Sequence, residues 1–165
     1  MVLIPRWVTV CGCVVCAVLL AIAVTGCSGA TAGSPKLLDE TGYKQARTTI
    51  QGEYALPASF RWTDPPAQEQ GTKYEEGVAR AEVESYWVVA WETEWLEQRG
   101  KDPARAAKAL DILRNKVPKS RLMTEYSDES VRRIYTDALA KAELGDPSGI
   151  QRDIELNGLT LQRTP

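Results

Sequence analysis

Trp87, Trp91 and Trp95 recur every four residues in the stretch SYWVVAWETEW, in a chain of 165 residues that has five tryptophans and no histidine. Aromatic faces beside carboxylates are the chemistry of sugar and cation recognition. An indole stacks on a ring or attracts a cationic group, and a neighbouring acid fixes its orientation. On a helix each residue advances about 100°, so Val83 and the three tryptophans drift only about 40° per step and span an arc of about 120°. Glu76, Arg80 and Glu84 project onto that arc, with Glu94 between Val83 and Trp87. Glu92 projects to the far side, which fits a solvated position. Such an arc is also what a core-facing helix requires, and tryptophans bury on the order of 150–250 Å² each. The expected arrangement is therefore a tryptophan core, with Arg80 bridging Glu76 and Glu84 as helical neighbours. The alternative is a ligand groove lined by Trp91, Trp95, Glu84, Glu94 and Arg80.

A chain without histidine has neither a Ser-His-Asp nor a Cys-His nucleophile, and no His-ligated zinc. The strings G-x-x-x-x-G-K-[ST] and G-x-G-x-x-G are absent, so no nucleotide is expected. The acidic string DPPAQEQ lacks the ligand spacing of an EF-hand loop, and neither a metal nor a cofactor is expected. Carboxylate-only chemistry survives: Glu92, Glu94 and Glu97 stand near the tryptophans, and glycoside hydrolysis requires a pair of such acids. It is a remote alternative, because any acidic helix offers such pairs. Lys119-Ser120 forms a Ser-Lys string in a polar connector, with nothing further in the sequence to support it.

The elements that would position these residues follow from local signals. A helix is expected from about Tyr74 to Gln98, stopping at Arg99-Gly100. Asp102 caps a second helix with Pro103 at its first position, and Pro118 closes it. A third begins near Ser127 or Asp128. Val131, Ile134, Tyr135, Ala138, Leu139 and Ala142 give it the clearest amphipathic stripe in the chain, and Gly145 ends it. Asp146-Pro147 repeats the cap-plus-proline device before a short helix that bears Ile150 and Ile154 and ends at Asn157-Gly158. Residues 37–72 read as an irregular N-terminal segment: a short helix near Tyr43 to Ile50, the extended piece YALPASFRW and the loop TDPPAQEQG. The expected fold is mainly α, a compact helical domain of three to four helices over residues 73–165 with the irregular segment wrapped along it.

The first 27 residues differ in kind. Arg6 is the only charge before a run of apolar and small residues from Trp7 to Val24, which suits the n-region and h-region of a secretory signal. The string Val24-Thr25-Gly26-Cys27 resembles a lipobox, the recognition motif of bacterial lipoprotein precursors. The resemblance implies a diacylglyceryl thioether on Cys27 and cleavage after Gly26. Residues 1–26 are then a signal peptide and residues 27–36, SGATAGSPK after the cysteine, a flexible tether. Several acyl chains hold a protein at a membrane far more firmly than one. The C-x-C-x-x-C string of Cys11, Cys13 and Cys16 would leave with the leader, so Cys27 becomes the only cysteine and no intrachain disulfide forms.

The remaining 139 residues suit one domain. The leader takes one base and no acid, which shifts the net charge of −2 for the whole chain to −3. Interspersed charge argues against nucleic acid as a partner. The tract YEEG…YW…AWE…WL and the later GDPSGIQ resemble small uncharacterised exported proteins, a likeness that carries no activity. The expected function is that of a non-enzymatic lipoprotein with two contacts: the membrane, through the lipid on Cys27, and an envelope protein partner. It would sit on the outer face of the cytoplasmic membrane, or on an outer membrane where the cell has one. The alternative is a small module that binds a glycan or cation on the tryptophan face. Mass spectrometry of the mature protein is expected to place an acylated N-terminus at Cys27, and Cys27→Ala is expected to carry no acyl mass. A mature N-terminus elsewhere, free of lipid, would overturn the anchor.

Overall fold

Local signals set the helix boundaries in the computed structural model, which describes residues 36–65 and 71–165. The leader with Cys11, Cys13 and Cys16, the lipobox with Cys27, the tether up to residue 35 and residues 66–70 of the expected loop lie outside the described residues. In chain order the elements are β1 (Leu37–Leu38), α1 (Glu40–Gln51), β2 (Phe60–Arg61), β3 (Tyr74–Glu75) and α2 (Glu76–Gln98). There follow α3 (Pro103–Asn115), a 3-10 turn (Val117–Lys119), a π-helical turn (Leu122–Tyr126), α4 (Glu129–Glu143), α5 (Ser148–Asn157) and β4 (Gln162–Arg163). The fold is mainly α, and the described residues belong to one contact unit.

The caps act as their chemistry requires. Asp102 Oδ1 accepts from the amides of Ala104 and Arg105, both at 3.1 Å, with Pro103 opening α3. Asp128 does the same for Ser130 and Val131 at the start of α4. Asp146 Oδ1 accepts from Ser148 N at 2.9 Å, but α5 starts one residue later than expected, with Pro147 as its N-cap, and it ends where Gly158 takes the left-handed conformation that a side chain disfavours. The segment expected to be irregular contains a helix of 12 residues, α1, capped by Asp39 through Gly42 N at 2.8 Å. Tyr74, expected to open the long helix, instead pairs with Leu38 in a two-residue antiparallel ladder. The polar connector after Pro118 holds the π-helical turn, for which no sequence pattern stood out.

Helix α2 is the centre, packed against α1, α3 and α5. From Val83 to Trp95 all but Ser85 and Thr93 are buried, so the helix is covered on every side, as expected of an element inside the core. One part of the core joins Trp87, Trp91 and Trp95 to Ala109, Ile112 and Leu113 of α3, Tyr135 and Ala142 of α4 and Ile150 of α5. A second joins Val83 and Ala79 to Tyr43 and Ile50 of α1. The Trp87 and Trp91 Nε1 groups both donate to the Ala55 carbonyl at 3.1 Å, which pins the extended piece onto α2. The Tyr86 hydroxyl donates to Arg61 O at 2.7 Å and accepts from Gln162 N at 2.8 Å, holding the β2–β4 pair against the same helix.

The α4 stripe is only partly covered. Tyr135, Ala138 and Ala142 are buried, whereas Val131 and Ile134 are 45% and 56% exposed. Helix α5 approaches α4 so closely that a Cβ on Gly149 would stand 2.5 Å from Ala138 Cα and 2.8 Å from its Cβ. Backbone cannot yield to such a contact without moving the helix. Gly149→Ala is therefore expected to destabilise by about 1–3 kcal/mol, the usual cost of overpacking. Gly100→Ala, with nothing within 4 Å of the new atom, should stay within about 0.5 kcal/mol of the parent. Urea unfolding of both variants checks the contrast.

Candidate functional site

The residues of the tryptophan face come together, but as core. Trp91 and Trp95 are each 4% exposed and Trp87 is 3% exposed. What little edge they show is covered by cations: Lys108 Nζ lies 5.9 Å from the Trp91 ring centre and the Arg99 guanidinium 5.7 Å from that of Trp95. No broad indole face is left for a sugar to stack on.

The charges on that face are matched within the protein. Arg80 grips both oxygens of Glu53, at 2.8 and 2.9 Å, and reaches Glu84 Oε1 at 3.2 Å. The expected ladder is thus half right. Glu53, brought in by the turn after α1, takes the place of Glu76, which pairs with Lys36 at 3.2 Å. Glu84 has no exposed surface, yet it accepts from the Tyr54 hydroxyl at 2.6 Å and from Leu122 N in the π-helical turn. Burial and the Glu84 charge together raise the Tyr54 hydroxyl well above its ordinary range. Glu94 takes a hydrogen bond from Arg105 Nε at 2.7 Å, and Arg105 extends to Ser59 Oγ at 2.7 Å. Glu97 pairs with Arg163. The three acids considered for hydrolysis therefore point to three different neighbours.

Glu92 overturns the expectation of a solvated position. Its side chain has no exposed surface, and neither oxygen has a hydrogen-bond donor among the described residues. The projection had placed it opposite the tryptophans, and α5 covers that side. The polar group that meets it is the carboxyl of Asp153, itself held by Asn157 Nδ2 at 3.1 Å. Two carboxyls hydrogen-bond only if one keeps a proton, and burial decides which. Desolvation first, then the Asp153 charge, pushes Glu92 well above the ordinary carboxyl range. Asp153 is raised by burial and lowered by its contacts with Glu92 and Asn157. Of the two, Glu92 is the more deeply buried, so burial favours its protonated form most. Their charge also acts on Tyr135, whose hydroxyl is raised chiefly by burial and donates to Leu113 O at 2.7 Å.

Asp153 also lines a groove of about 210 Å³ between α4, α5, α2 and the π-helical turn, with Met123, Val131, Ile134 and Leu156 as its apolar walls. Sequence reasoning passed over Asp153, although its spacing from Ile150, Ile154 and Asn157 places it on the inward side of α5. Around Trp91 the other face is basic, with Lys108, Lys116 and Lys119 at the rim of a depression of about 400 Å³. Among the described residues no cluster of acids, cysteines or histidines is arranged to hold a metal, and no helix is long and apolar enough to cross a membrane. No protein-family model, curated protein or solved structure matches this chain.

A carboxyl that is protonated in the folded protein and ionised in the unfolded chain makes folding take up a proton. Its contribution to stability is complete below its ordinary value of 4.5 and is lost as pH rises through the higher folded value. The acids held low by partners, Glu53, Glu97, Asp128 and Asp146, act in the opposite sense and below that window. The protein is therefore expected to lose stability from about pH 5 to pH 8, by at most about 1.4 kcal/mol per unit for one group. Glu92→Gln, which keeps a donor for Asp153 and cannot ionise, should flatten that decline. Urea midpoints measured across the range decide it: a parent protein that gains stability on the way to pH 8 contradicts the assignment.

Proposed function

We propose that this protein is a lipid-anchored, non-enzymatic interaction protein of the cell envelope, tethered through Cys27 and engaging an envelope protein through the groove between α4 and α5. One observation carries the reading. Val131, Ile134 and Leu156, at 45%, 56% and 63% exposure, line the same groove. Single exposed apolar residues are ordinary on a protein surface, whereas a contiguous apolar patch marks a place of contact. The stripe on α4 has the periodicity of a fully covered face, and α5 covers only its second half. A partner would complete it.

The anchor rests on the lipobox resemblance, and the two parts fit together physically. A tether confines the domain near the membrane, which raises the effective concentration of any partner held there. The tryptophan face gives the glycan alternative little support, because its three indoles are core and its carboxylates are occupied.

A photo-crosslinking amino acid at Ile134 of the full-length protein tests the reading in intact cells. A discrete adduct is expected, lost when Leu156→Glu is added and absent when the probe stands at exposed Ala140, on the opposite side of α4. A membrane-attached protein that yields no adduct from either Ile134 or Val131 would refute it.

A further inference from the structure

We infer that the face built from Lys108, Lys116 and Lys119 docks on anionic phospholipid headgroups, so that the domain lies against the membrane to which its lipid holds it. The inference rests on the proposed anchor and adds which side of the domain meets the bilayer. The three lysines come from α3, its C-cap and the 3-10 turn that follows, and they rim one depression of about 400 Å³. All three are exposed. Among the described residues none has a carboxylate partner; Lys108 only stands 5.9 Å from the Trp91 ring centre. The acids that could neutralise them are taken. Glu53, on the same rim, is gripped by Arg80, and Asp111 of α3 accepts from Asn115 Nδ2 at 2.7 Å, with Arg114 at 3.9 Å. Elsewhere Lys36, Lys44, Arg105, Arg121 and Arg163 each meet a carboxylate. Charges that are interspersed along the chain are thus gathered by the fold into one uncompensated cluster.

The place where the chain leaves the domain selects the occupant. Glu53 also lines a second depression, of about 490 Å³, together with Lys36, Arg80 and Arg121. The basic rim therefore continues to Lys36, the first residue described. Cys27 stands nine residues before Lys36, a stretch that reaches about 30 Å when fully extended. An anchor at that range keeps this side of the domain near the headgroups, and anionic headgroups supply the missing counter-charge. Each lysine within a Debye length of such a surface, about 8–10 Å at ordinary salt, gains roughly fivefold in residence there. The contact is electrostatic, because Trp87 and Trp91 are only 3% and 4% exposed and cannot insert between lipids. Neither depression shares a lining residue with the groove between α4 and α5. A partner protein can therefore fill the groove while the lysines rest on the membrane.

Lysine acetylation read by mass spectrometry tests this on protein purified from membranes and reconstituted on vesicles, of phosphatidylcholine alone or with phosphatidylglycerol added. On the anionic vesicles Lys108, Lys116 and Lys119 are expected to react roughly fivefold more slowly, and high salt should abolish that protection. Lys141, exposed on α4, should react equally on both. With Lys108→Gln, Lys116→Gln and Lys119→Gln combined, energy transfer from the tryptophans to a dansyl lipid on the anionic vesicles should fall to its value on phosphatidylcholine. Equal reactivity of the three lysines on both vesicles, or equal slowing of Lys141, overturns the docking face. Protection by glycerol phosphate in solution, without anionic lipid, overturns the membrane as its occupant. The anchor fails separately: an intact mass without acyl chains on Cys27 removes it, and acetylation of the same protein mixed with an excess of either vesicle still decides the face.

Discussion

Everything in this domain is arranged around one helix that is buried on every side. From Val83 to Trp95, α2 leaves only Ser85 and Thr93 outside the buried class, and yet the stretch carries three carboxylates. Aromatic burial drives the arrangement, since Trp87, Trp91 and Trp95 remove more apolar surface from water than any other residues of the element. The carboxylates travel inward with them. A buried charge must be paired or neutralised, and each acid meets that demand differently. Glu84 gathers Arg80, Tyr54 and a backbone amide. Glu94 takes Arg105. Glu92 meets only another acid and keeps its proton.

These three solutions recruit three parts of the chain. Glu84 fixes the π-helical turn and the turn after α1; Glu94 ties α3 and Ser59 to the centre; Glu92 is the polar contact between α2 and α5. The first is closed, its Arg and Tyr donors and carboxylate acceptors satisfying one another, whereas in the second Arg105 serves one oxygen of Glu94 and leaves Oε2 buried without a partner. The third is open. Its donors are too few, and Asp153 lines the groove left where α4 outruns the cover given by α5. The close approach of Gly149 to Ala138 fixes the spacing of α4 and α5, and with it the width of the groove.

Helix ends were legible because their chemistry is local. Asp102-Pro103, Asp128, Asp146 and Gly158 act within a few residues of themselves, so reading them requires no knowledge of the fold. Helix α1 was half legible, since its apolar positions are sparse. The β1–β3 and β2–β4 ladders join residues far apart in the chain and leave no local pattern in two-residue strands. The tryptophan arc correctly indicated core. The opposite side of the same helix was misread because projection onto one axis shows which residues share a face and not which faces are covered.

The sequence alone determined the mainly helical class, the positions of the caps, the inward direction of Trp87, Trp91 and Trp95, and the exclusion of histidine chemistry. All of these depend on residue identity or on spacing within a few turns. Tertiary structure decided the partners of the acids. It gave Arg80 to Glu53 in place of Glu76, buried Glu92 against Asp153, and left Val131 and Ile134 uncovered. Each of these is a question of which element arrives at a given face. Such arrivals are set by the packing of whole helices against one another, a property of the assembled core that no single stretch of chain contains.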